Sequence, residues 1–373
     1  MKPSPSDQSP VSLSLSKQDT AVLKGVAILA MLCHHLYTYP PAWAALPESP
    51  FLLWLGAVGK VCVSLFLFCS GYGLSVQYAT YDSVVGFSKR TRIATRFLIR
   101  RFVKFYANYW VIFILFVPIT VLFFGRPFQA AYGESASVPL HFFLDLLGLQ
   151  GLHSYNITWW FNLLIIVFYL LFPIFYFLFR KNVWVSLFIA FILCAIGGKL
   201  GLSEYGLLFS LYILPFTIGI SWRFFQESFS QLFQSHKQKS FMFVVGCLGL
   251  IVLLLFFRQH NVLPGGFYGE KIDGFLVCAI VMLIISLRPF FPPPGFLMFV
   301  GKHSVNIYLI HTFINAYWPT SRWIHNLEWG GVKFIILFAM SLLISVFIEL
   351  IKEKIGYNGV VSYICKRYED SFQ

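Results

Sequence analysis

Long apolar stretches separated by short basic ones limit most strongly how this chain can fold. A helix needs about 20 mostly apolar residues to cross a bilayer whose hydrocarbon core is about 30 Å thick. The chain is 58% hydrophobic and only 12% charged, about half the charged fraction of a soluble domain. The pattern predicts an all-α polytopic membrane protein with about ten transmembrane helices. The ten candidate spans, of which the fifth is short, are 21–39, 51–78, 103–124, 157–179, 183–197, 205–222, 241–257, 272–287, 303–319 and 333–351.

The positive charges indicate how these helices are oriented. With a cytoplasmic N-terminus, the cytoplasmic segments contain 21 of the 28 Lys and Arg residues, six lie in outer segments, and Lys60 lies within the second span. Cytoplasmic loops of membrane proteins carry such an excess of positive charge. Both chain ends are therefore predicted to be cytoplasmic. Topology explains the net charge of +13, which gives no reason to expect nucleic acid as a partner.

The chain divides into a central membrane domain and two short tails. Residues 1–20 are polar and rich in Ser and Pro, which predicts a disordered cytoplasmic tail. Residues 21–351 form the predicted transmembrane domain, and 352–373 a second cytoplasmic tail. No cleavable signal peptide is evident. The amphipathic stretch 139–150 is expected to be a re-entrant or interfacial segment rather than an eleventh span.

The first span carries ionisable residues, which are costly in a bilayer and by default indicate function. Lys24 and His35 are eleven residues apart, which places them about 20° apart in azimuth and about 16 Å apart in height on one helix face. His34 points about 80° away from Lys24, so His35 is the better candidate for a role with Lys24. The alternative is that His35 only packs against neighbouring helices and that Lys24 only extends its ammonium group to the membrane interface. No HxxxH motif or Cys/His cluster indicates a metal site.

A strongly basic segment follows the second span and is expected to be a cytoplasmic loop. Positive-inside topology and attraction to anionic lipid head groups explain some of its charge. The surplus suggests a phosphate-bearing ligand from the cytoplasm, because Arg binds phosphate oxygens bidentately. The basic residues are Lys89, Arg90, Arg92, Arg96, Arg100, Arg101 and Lys104.

Other polar and aromatic residues occur in apolar surroundings. Small residues at 70–73 permit close approach of helices, and Trp159 and Trp160 stand where an aromatic belt is expected. Glu349 is expected to pair with a nearby basic residue. The candidate supporting residues are Ser70, Tyr72, Trp160, Tyr308 and His311.

Five segments, in order over roughly 20–320, resemble motifs of the acyltransferase-3 family of membrane-bound acyltransferases. This family includes bacterial O-acetyltransferases of surface polysaccharides. Lys24 stands where arginine is commoner in the family, and Ala107 where proline is usual. The segments are Leu23–Ile28 through His35, Val63–Tyr72, Arg100–Tyr106 to Tyr109–Trp110, Trp160–Phe161 with Tyr169–Pro173, and Gly301–Ser304 to Tyr308–His311.

The resemblance implies transfer of an acyl group from cytoplasmic acyl-CoA, expected to be acetyl-CoA, to a hydroxyl of a cell-surface glycan or lipid-linked sugar. Acyl-CoA is then a co-substrate, no cofactor is permanently bound, and the protein lies in the inner cell membrane among its lipids. His35 is expected to act as general base or transient acyl carrier, and His311 to orient it, contact the acceptor or only pack. The residues expected to bind the phosphates of acyl-CoA are Lys24, Arg90, Arg92, Arg96, Arg100 and Arg101.

Two other classes of function are compatible with intramembrane histidines. A secondary transporter would use them as a proton relay, but the sequence has neither an inverted repeat nor paired broken helices. A non-catalytic scaffold of envelope assembly would use them for packing and should tolerate His35→Ala. A transporter should carry its substrate without consuming acyl-CoA.

Overall fold

The computed structural model describes residues 13–81, 87–134, 137–197, 200, 202–229, 237–260 and 269–370. All regular secondary structure in this described part is helical. The helices are α1 Lys17–Tyr37, α2 Pro50–Gly59, α3 Cys62–Ala79, α4 Phe87–Phe124, α5 Gln129–Tyr132, α6 Val138–Leu146, α7 Trp160–Lys181, α8 Val183–Ile196, α9 Glu204–Phe229, α10 Lys237–His260, α11 Asp273–Leu287, α12 Gly295–Lys302, α13 Ser304–Thr312, α14 Thr320–His325, α15 Gly330–Lys354 and α16 Tyr357–Asp370. Short 3₁₀ turns cover Gly151–His153, Ile157–Trp159 and Gly269–Ile272, and a π-helical turn covers Phe313–Tyr317.

Seven helical stretches of the described chain are long and apolar enough to cross a membrane. The other three predicted spans correspond to α8, to α11 and to α13 with the π turn, and all three are shorter. The chain is therefore an all-helical, multi-pass membrane protein. The seven stretches are Lys17–Tyr37, Pro50–Ala79, Thr91–Phe124, Ile157–Lys181, Glu204–Gln226, Phe241–Gln259 and Gly330–Lys354.

The predicted disordered tail 1–20 is wrong for its last eight residues, while its first twelve lie outside the described residues. The side chains of Leu13 and Leu15 are buried. Trp222 Nε1 donates a hydrogen bond to the Leu13 carbonyl at 3.1 Å, and the Leu15 amide donates to the Tyr72 hydroxyl at 3.0 Å. The polar composition concealed these two leucines, whose burial holds the segment in place.

A reciprocal cap begins α1 four residues earlier than the predicted span. The Asp19 amide donates to Ser16 Oγ at 3.1 Å, and the Ser16 amide donates to Asp19 Oδ2 at 2.7 Å. This is the arrangement of a capping box, with aspartate in the place of glutamate. Arg288 forms an ion pair with the same carboxylate at 2.7 Å.

The basic segment is helical and not the predicted loop. It forms the first half of α4, which has 38 residues and is therefore about 57 Å long, nearly twice the hydrocarbon thickness. Arg92, Arg96 and Arg100 are spaced by four residues, so they lie along one face of α4. The side chains of Lys89 and Arg90 lie outside the described residues.

The chain divides into two compact units, made of the described parts of residues 1–25, 63–76 and 175–301 and of residues 26–62, 77–174 and 302–373. In the first unit, α9 packs against α8 and α11, and α10 against α11. A Cβ atom on Gly71 would overlap the Phe216 carbonyl oxygen, so this glycine allows α3 to approach α9 closely.

Aromatic side chains form much of the core of the second unit. Tyr109, Phe113, Trp159 and Phe313 are buried together. Trp159 is fully buried and donates from Nε1 to the Leu309 carbonyl at 3.1 Å. The predicted place of Trp159 in an aromatic belt is therefore wrong, because its indole N–H finds a partner inside the protein.

The short helix α6 ends against the middle of α4. Three α4 side chains donate to the last carbonyl groups of α6, which a helix end leaves without internal partners. Tyr109 lies fifteen residues from the end of α4, a distance of about 23 Å. The prediction that this stretch is a re-entrant or interfacial segment stays a prediction. The pairs are Tyr109–Asp145 (2.5 Å), Trp110–Leu146 (2.8 Å) and Tyr106–Leu147 (3.0 Å).

Candidate active site

The two adjacent histidines near the end of α1 differ in their surroundings. His34 is buried, and its Nδ1 lies 2.8 Å from the Gly56 carbonyl oxygen. Because a carbonyl only accepts, this nitrogen carries the proton and donates. His35 is half-buried, and its ring has no hydrogen-bond partner in the described part of the chain. His34 therefore fastens α1 to α2, while His35 presents free ring nitrogens.

Glycines on α2 allow this close approach of α2 to α1. A Cβ atom on Gly59 would overlap the Ala30 carbonyl oxygen, and one on Gly56 would overlap Thr38 Oγ1. Backbones meet this closely only where a glycine leaves the space. The histidine pair is thus placed by direct backbone contact between α1 and α2.

His311 of α13 lies beside His35, with ring centroids 4.9 Å apart. The His311 ring is fully buried, and its Nδ1 lies 2.8 Å from the Tyr308 carbonyl oxygen. Nδ1 must therefore carry the proton, which leaves Nε2 to accept from Thr312 Oγ1 at 3.2 Å. Both the tautomer and the orientation of His311 are fixed by these partners.

A chain of buried polar side chains continues from His311 to the turn before α7. Thr312 Oγ1 lies 3.0 Å from Thr158 Oγ1, which donates to Asn156 Oδ1 at 2.8 Å. Asn156 Nδ2 in turn donates to the Leu309 carbonyl at 3.4 Å. None of these three residues was singled out from the sequence, although polar side chains in apolar stretches were the available signal.

Tyr308 and Trp160, both predicted supporting residues, belong to the same unit. The Tyr308 hydroxyl donates to the Thr158 carbonyl at 3.0 Å and also lies 3.3 Å from Asn162 Oδ1. Trp160 is half-buried and packs edge-on against Phe161. Tyr308 therefore ties α13 to the start of α7, next to the histidine pair.

On its other side, His35 is linked to the π turn after α13. Asn315 Nδ2 donates to the His35 carbonyl at 3.2 Å, and Asn315 Oδ1 accepts from His325 Nε2 at 3.1 Å. Turns of this kind are frequent at functional sites. Neither Asn315 nor His325 was singled out from the sequence.

Lys60 is a further residue whose role the sequence analysis missed. It follows α2 immediately, ten residues after Pro50, hence about 15 Å along the axis, or half the hydrocarbon thickness. Gly59, the residue before Lys60, packs against the backbone of Ala30 and His34, so the half-buried Lys60 lies near this part of α1. A lysine at this depth is costly and rarely incidental.

The arginines of α4 offer donors to an anion. Arg96 is half-buried, and its Nε is buried without a hydrogen-bond partner in the described chain. Arg100 donates to the Tyr81 hydroxyl at 3.2 Å, Arg101 donates to Gln77, and Arg92 is exposed. An orphaned guanidinium nitrogen suits a phosphate oxygen better than a neutral partner.

A family model described as an acyltransferase domain matches residues 21–350. The chain belongs to the acyltransferase-3 family. It is therefore a membrane O-acyltransferase. No curated protein and no solved structure shows a significant match to the chain.

The predicted site residues of this acyltransferase fall into both compact units. His35, Tyr308, His311 and the arginines of α4 belong to the second unit, and Lys24, Ser70 and Tyr72 to the first. Tyr72 is bound to the backbone of Leu15, whereas Ser70 and Lys24 are half-buried. Lys24 lies within electrostatic range of Cys69. No group of His, Cys, Asp and Glu able to hold a metal ion occurs among the described residues.

Proposed function

We propose that this acyltransferase transfers an acetyl group from cytoplasmic acetyl-CoA to a hydroxyl of a cell-surface glycan or lipid-linked sugar at the inner cell membrane. The observation that carries the proposal is the contrast between His35 and its neighbours. His34 and His311 have their ring nitrogens engaged by backbone and side-chain partners, whereas His35 is half-buried and open. An open imidazole beside a fixed one is suited to proton transfer or acyl transfer at neutral pH.

As a general base, His35 removes the proton from the acceptor hydroxyl while its oxygen attacks the thioester carbonyl carbon. The carbon–sulfur bond then breaks, and the His35 imidazolium returns the proton to the departing sulfur, so CoA leaves as a thiol. In the two-step alternative, a His35 ring nitrogen attacks the thioester carbonyl carbon, the carbon–sulfur bond breaks, and the departing CoA sulfur takes the imidazole N–H proton. The acceptor hydroxyl oxygen then attacks the acetyl carbon, the carbon–nitrogen bond breaks, and the hydroxyl proton passes to the released imidazole. His311 is a positioning residue in both routes.

The arginines of α4 are the proposed ligands of the CoA phosphates, and Lys24, which belongs to the other compact unit, is proposed independently to favour CoA binding. Arg96 supports this role because its side chain is only half-buried and lies on the face of α4 that also carries Arg92 and Arg100. Arg92, Arg100 and Arg101 would add charge on the same helix, as would Arg90, whose side chain is not described. Arginine forks and phosphate oxygens form strong charge-assisted hydrogen bonds.

Lys60 is the proposed stabiliser of the negative charge that develops on the thioester carbonyl oxygen. Its position directly after Gly59, which packs against the backbone of Ala30 and His34 on α1, supports this role. A fixed positive charge in a water-poor site stabilises such an oxyanion far more than it would in water. Lys60→Met should therefore lower kcat, while Lys60→Arg should retain part of it.

The test is CoA release from acetyl-CoA by the full-length protein in proteoliposomes, with a glycan-bearing envelope extract as acceptor. His35→Ala should lose at least about 100-fold in rate. The matched control His34→Ala loses the hydrogen bond to Gly56 and ring packing against Tyr39, and should keep most activity in the folded fraction. Lys24→Ala should raise the KM for acetyl-CoA. A folded wild-type protein that consumes no acetyl-CoA would overturn the proposal.

The two chemical routes leave different species on the enzyme. Rapid cold denaturation of wild type near neutral pH after mixing with acetyl-CoA alone, followed at once by intact-protein mass spectrometry, detects an acetyl adduct that depends on His35 only on the two-step route. His35→Ala provides the blank for this measurement. Ester-linked acetyl on the glycan, followed by mass spectrometry, reports the completed transfer on either route.

A further inference from the structure

A tryptophan, a histidine and an asparagine lie next to each other above the C-terminal end of α1. Trp43 lies in the connection between α1 and α2, His325 ends α14, and Asn315 lies in the π turn. The Trp43 ring packs edge-on against the His325 ring, with centroids 5.5 Å apart. All three belong to the second unit, which also contains His35. The charge distribution predicts that this end of α1 faces outward.

The hydrogen bonds fix which atoms of this group remain available. Asn315 Nδ2 donates to the His35 carbonyl, so Asn315 Oδ1 accepts and His325 Nε2 must carry the proton. His325 Nδ1 is then an acceptor when the ring is neutral. Burial lowers the pKa of His325, with a further contribution from the nearby Lys333 ammonium, so the neutral ring prevails at pH 7. Lys333 also donates to the His325 carbonyl at 2.8 Å, which fixes the end of α14.

An anchor in the membrane interface is the simpler explanation for an exposed tryptophan, and Trp329 fits it. Trp329 is 74% exposed, and its carbonyl accepts two backbone hydrogen bonds at the start of α15. Trp43 is 49% exposed but also contacts His325. His325 is in turn only two hydrogen bonds from the His35 carbonyl. Anchoring does not require this connection to the proposed catalytic residue.

We propose that Trp43, His325 and Asn315 form the acceptor subsite of the acyltransferase and that it takes a pyranose ring approaching from the outer side. The inference rests on the proposed function. The half-exposed indole of Trp43 suits the apolar C–H face of a sugar, and His325 Nδ1 accepts a hydrogen bond from a sugar hydroxyl. A sugar bound there would be connected to the His35 backbone carbonyl through the hydrogen bonds of His325 and Asn315.

Two sources supply the same sugar chemistry, a free glycan and a lipid-linked saccharide. Two acceptor probes from envelopes of the native host separate them: delipidated polysaccharide in water, and the saccharide-containing fraction extracted with organic solvent. Each probe is titrated against full-length protein in proteoliposomes at saturating acetyl-CoA. The fraction that becomes acetylated identifies the source.

The variants are Trp43→Ala, Trp43→Phe and His325→Gln, with Trp329→Ala as the matched tryptophan control. Trp43→Ala should raise the KM for the acetylated probe about tenfold, the effect of losing one aromatic contact and its burial. The KM for acetyl-CoA should stay unchanged. Trp43→Phe should recover most of the loss, and Trp329→Ala should resemble wild type.

Three results would overturn the inference or its basis, and they differ from each other. Equal acceptor KM values for Trp43→Ala and Trp329→Ala would remove Trp43 from the subsite. A change confined to the KM for acetyl-CoA would assign these residues to the donor instead. A folded wild type that consumes no acetyl-CoA with either probe would overturn the proposed function itself. His325→Gln, whose amide can still donate to Asn315, should raise the acceptor KM at an unchanged thermal unfolding midpoint.

Discussion

The imidazole rings of His35 and His311 lie 4.9 Å apart, with their planes inclined by 43°. The two residues come from helices far apart in sequence, and only one of the rings is held by hydrogen bonds. The Tyr308 carbonyl and the Thr312 hydroxyl fix His311, so its ring is held in one orientation beside the more exposed His35. This asymmetry separates a positioning residue from a reactive one.

Replacement of His311 should therefore affect the rate more than donor binding. His311→Ala is expected to lower kcat by about 10- to 100-fold, because a loosened His35 loses its reactive geometry. The KM for acetyl-CoA should change little. Thr312→Val, which removes only the hydroxyl that donates to His311 Nε2, should give a smaller loss. If in both variants the loss of kcat only paralleled a loss of thermal unfolding midpoint, the role of His311 would be purely structural.

Gly59→Ala should destabilise the protein by about 1–3 kcal/mol, the usual cost of forcing an extra methyl group into a packed contact. The added Cβ would overlap the Ala30 carbonyl oxygen and push α2 away from α1. Gly246→Ala in α10 is the control, because a Cβ there meets nothing within 4 Å. Thermal unfolding in detergent compares the two. A Gly59→Ala protein as stable as Gly246→Ala would contradict the described contact.

Arg96→Gln should raise the KM for acetyl-CoA about tenfold, since a charge-assisted hydrogen bond to phosphate is lost. S-acetylpantetheine lacks the nucleotide phosphates, so its KM should not change. Arg367→Gln, an exposed substitution on α16, controls for loss of positive charge alone. Equal effects of Arg96→Gln on both donors would show that Arg96 does not bind phosphate.

Lys352 and Glu349 form the ion pair expected for Glu349, at 2.9 Å, and Lys352 also donates to Asn108 at 3.1 Å. The Lys352 side chain is only 3% exposed, whereas that of Glu349 is 39% exposed. Glu349→Ala should cost about 1–3 kcal/mol, below the usual range for a fully buried pair because water reaches the carboxylate. Glu349→Gln combined with Lys352→Met should cost less in equilibrium unfolding in mixed micelles. A larger loss in the double variant would contradict this account.

His325 should make stability depend on pH. Burial lowers its pKa below the ordinary value of 6.5, so the unfolded chain binds a proton more readily than the folded one. The folded state therefore loses stability as pH falls through 6.5 toward the lower folded pKa. Between pH 7.5 and 5.5, the thermal midpoint of wild type should fall further than that of His325→Gln. Parallel curves for the two proteins would argue against a buried neutral imidazole.

Most of the spans could be predicted because they depend on local properties, whereas the preference for His35 stays a prediction. Hydropathy follows from composition along one stretch, and the 3.6-residue repeat alone separates His35 from His34. The structure adds the physical reason, since the Gly56 carbonyl engages His34. The ion pair of Glu349 could be predicted for the same reason, because Lys352 is three residues away on the same helix.

The partners of His35 could not be predicted from the same local rules. Asn315 is 280 residues from His35 in sequence, and their contact depends on how the helices pack. The basic segment was misjudged as a loop because charge density predicts solvent contact without deciding between helix and coil. Trp159 was misjudged because belt and core tryptophans have the same sequence signature until a buried acceptor such as the Leu309 carbonyl is known.

The three hydrogen bonds between α4 and the end of α6 also constrain biosynthesis. With nine residues, α6 is too short to cross a bilayer alone, and its last carbonyl groups would be costly in lipid without partners. Tyr106, Tyr109 and Trp110 supply those partners only after α4 has been inserted. We therefore expect membrane insertion of this enzyme to be ordered: α4 is placed first, and α6 packs against its side chains afterwards.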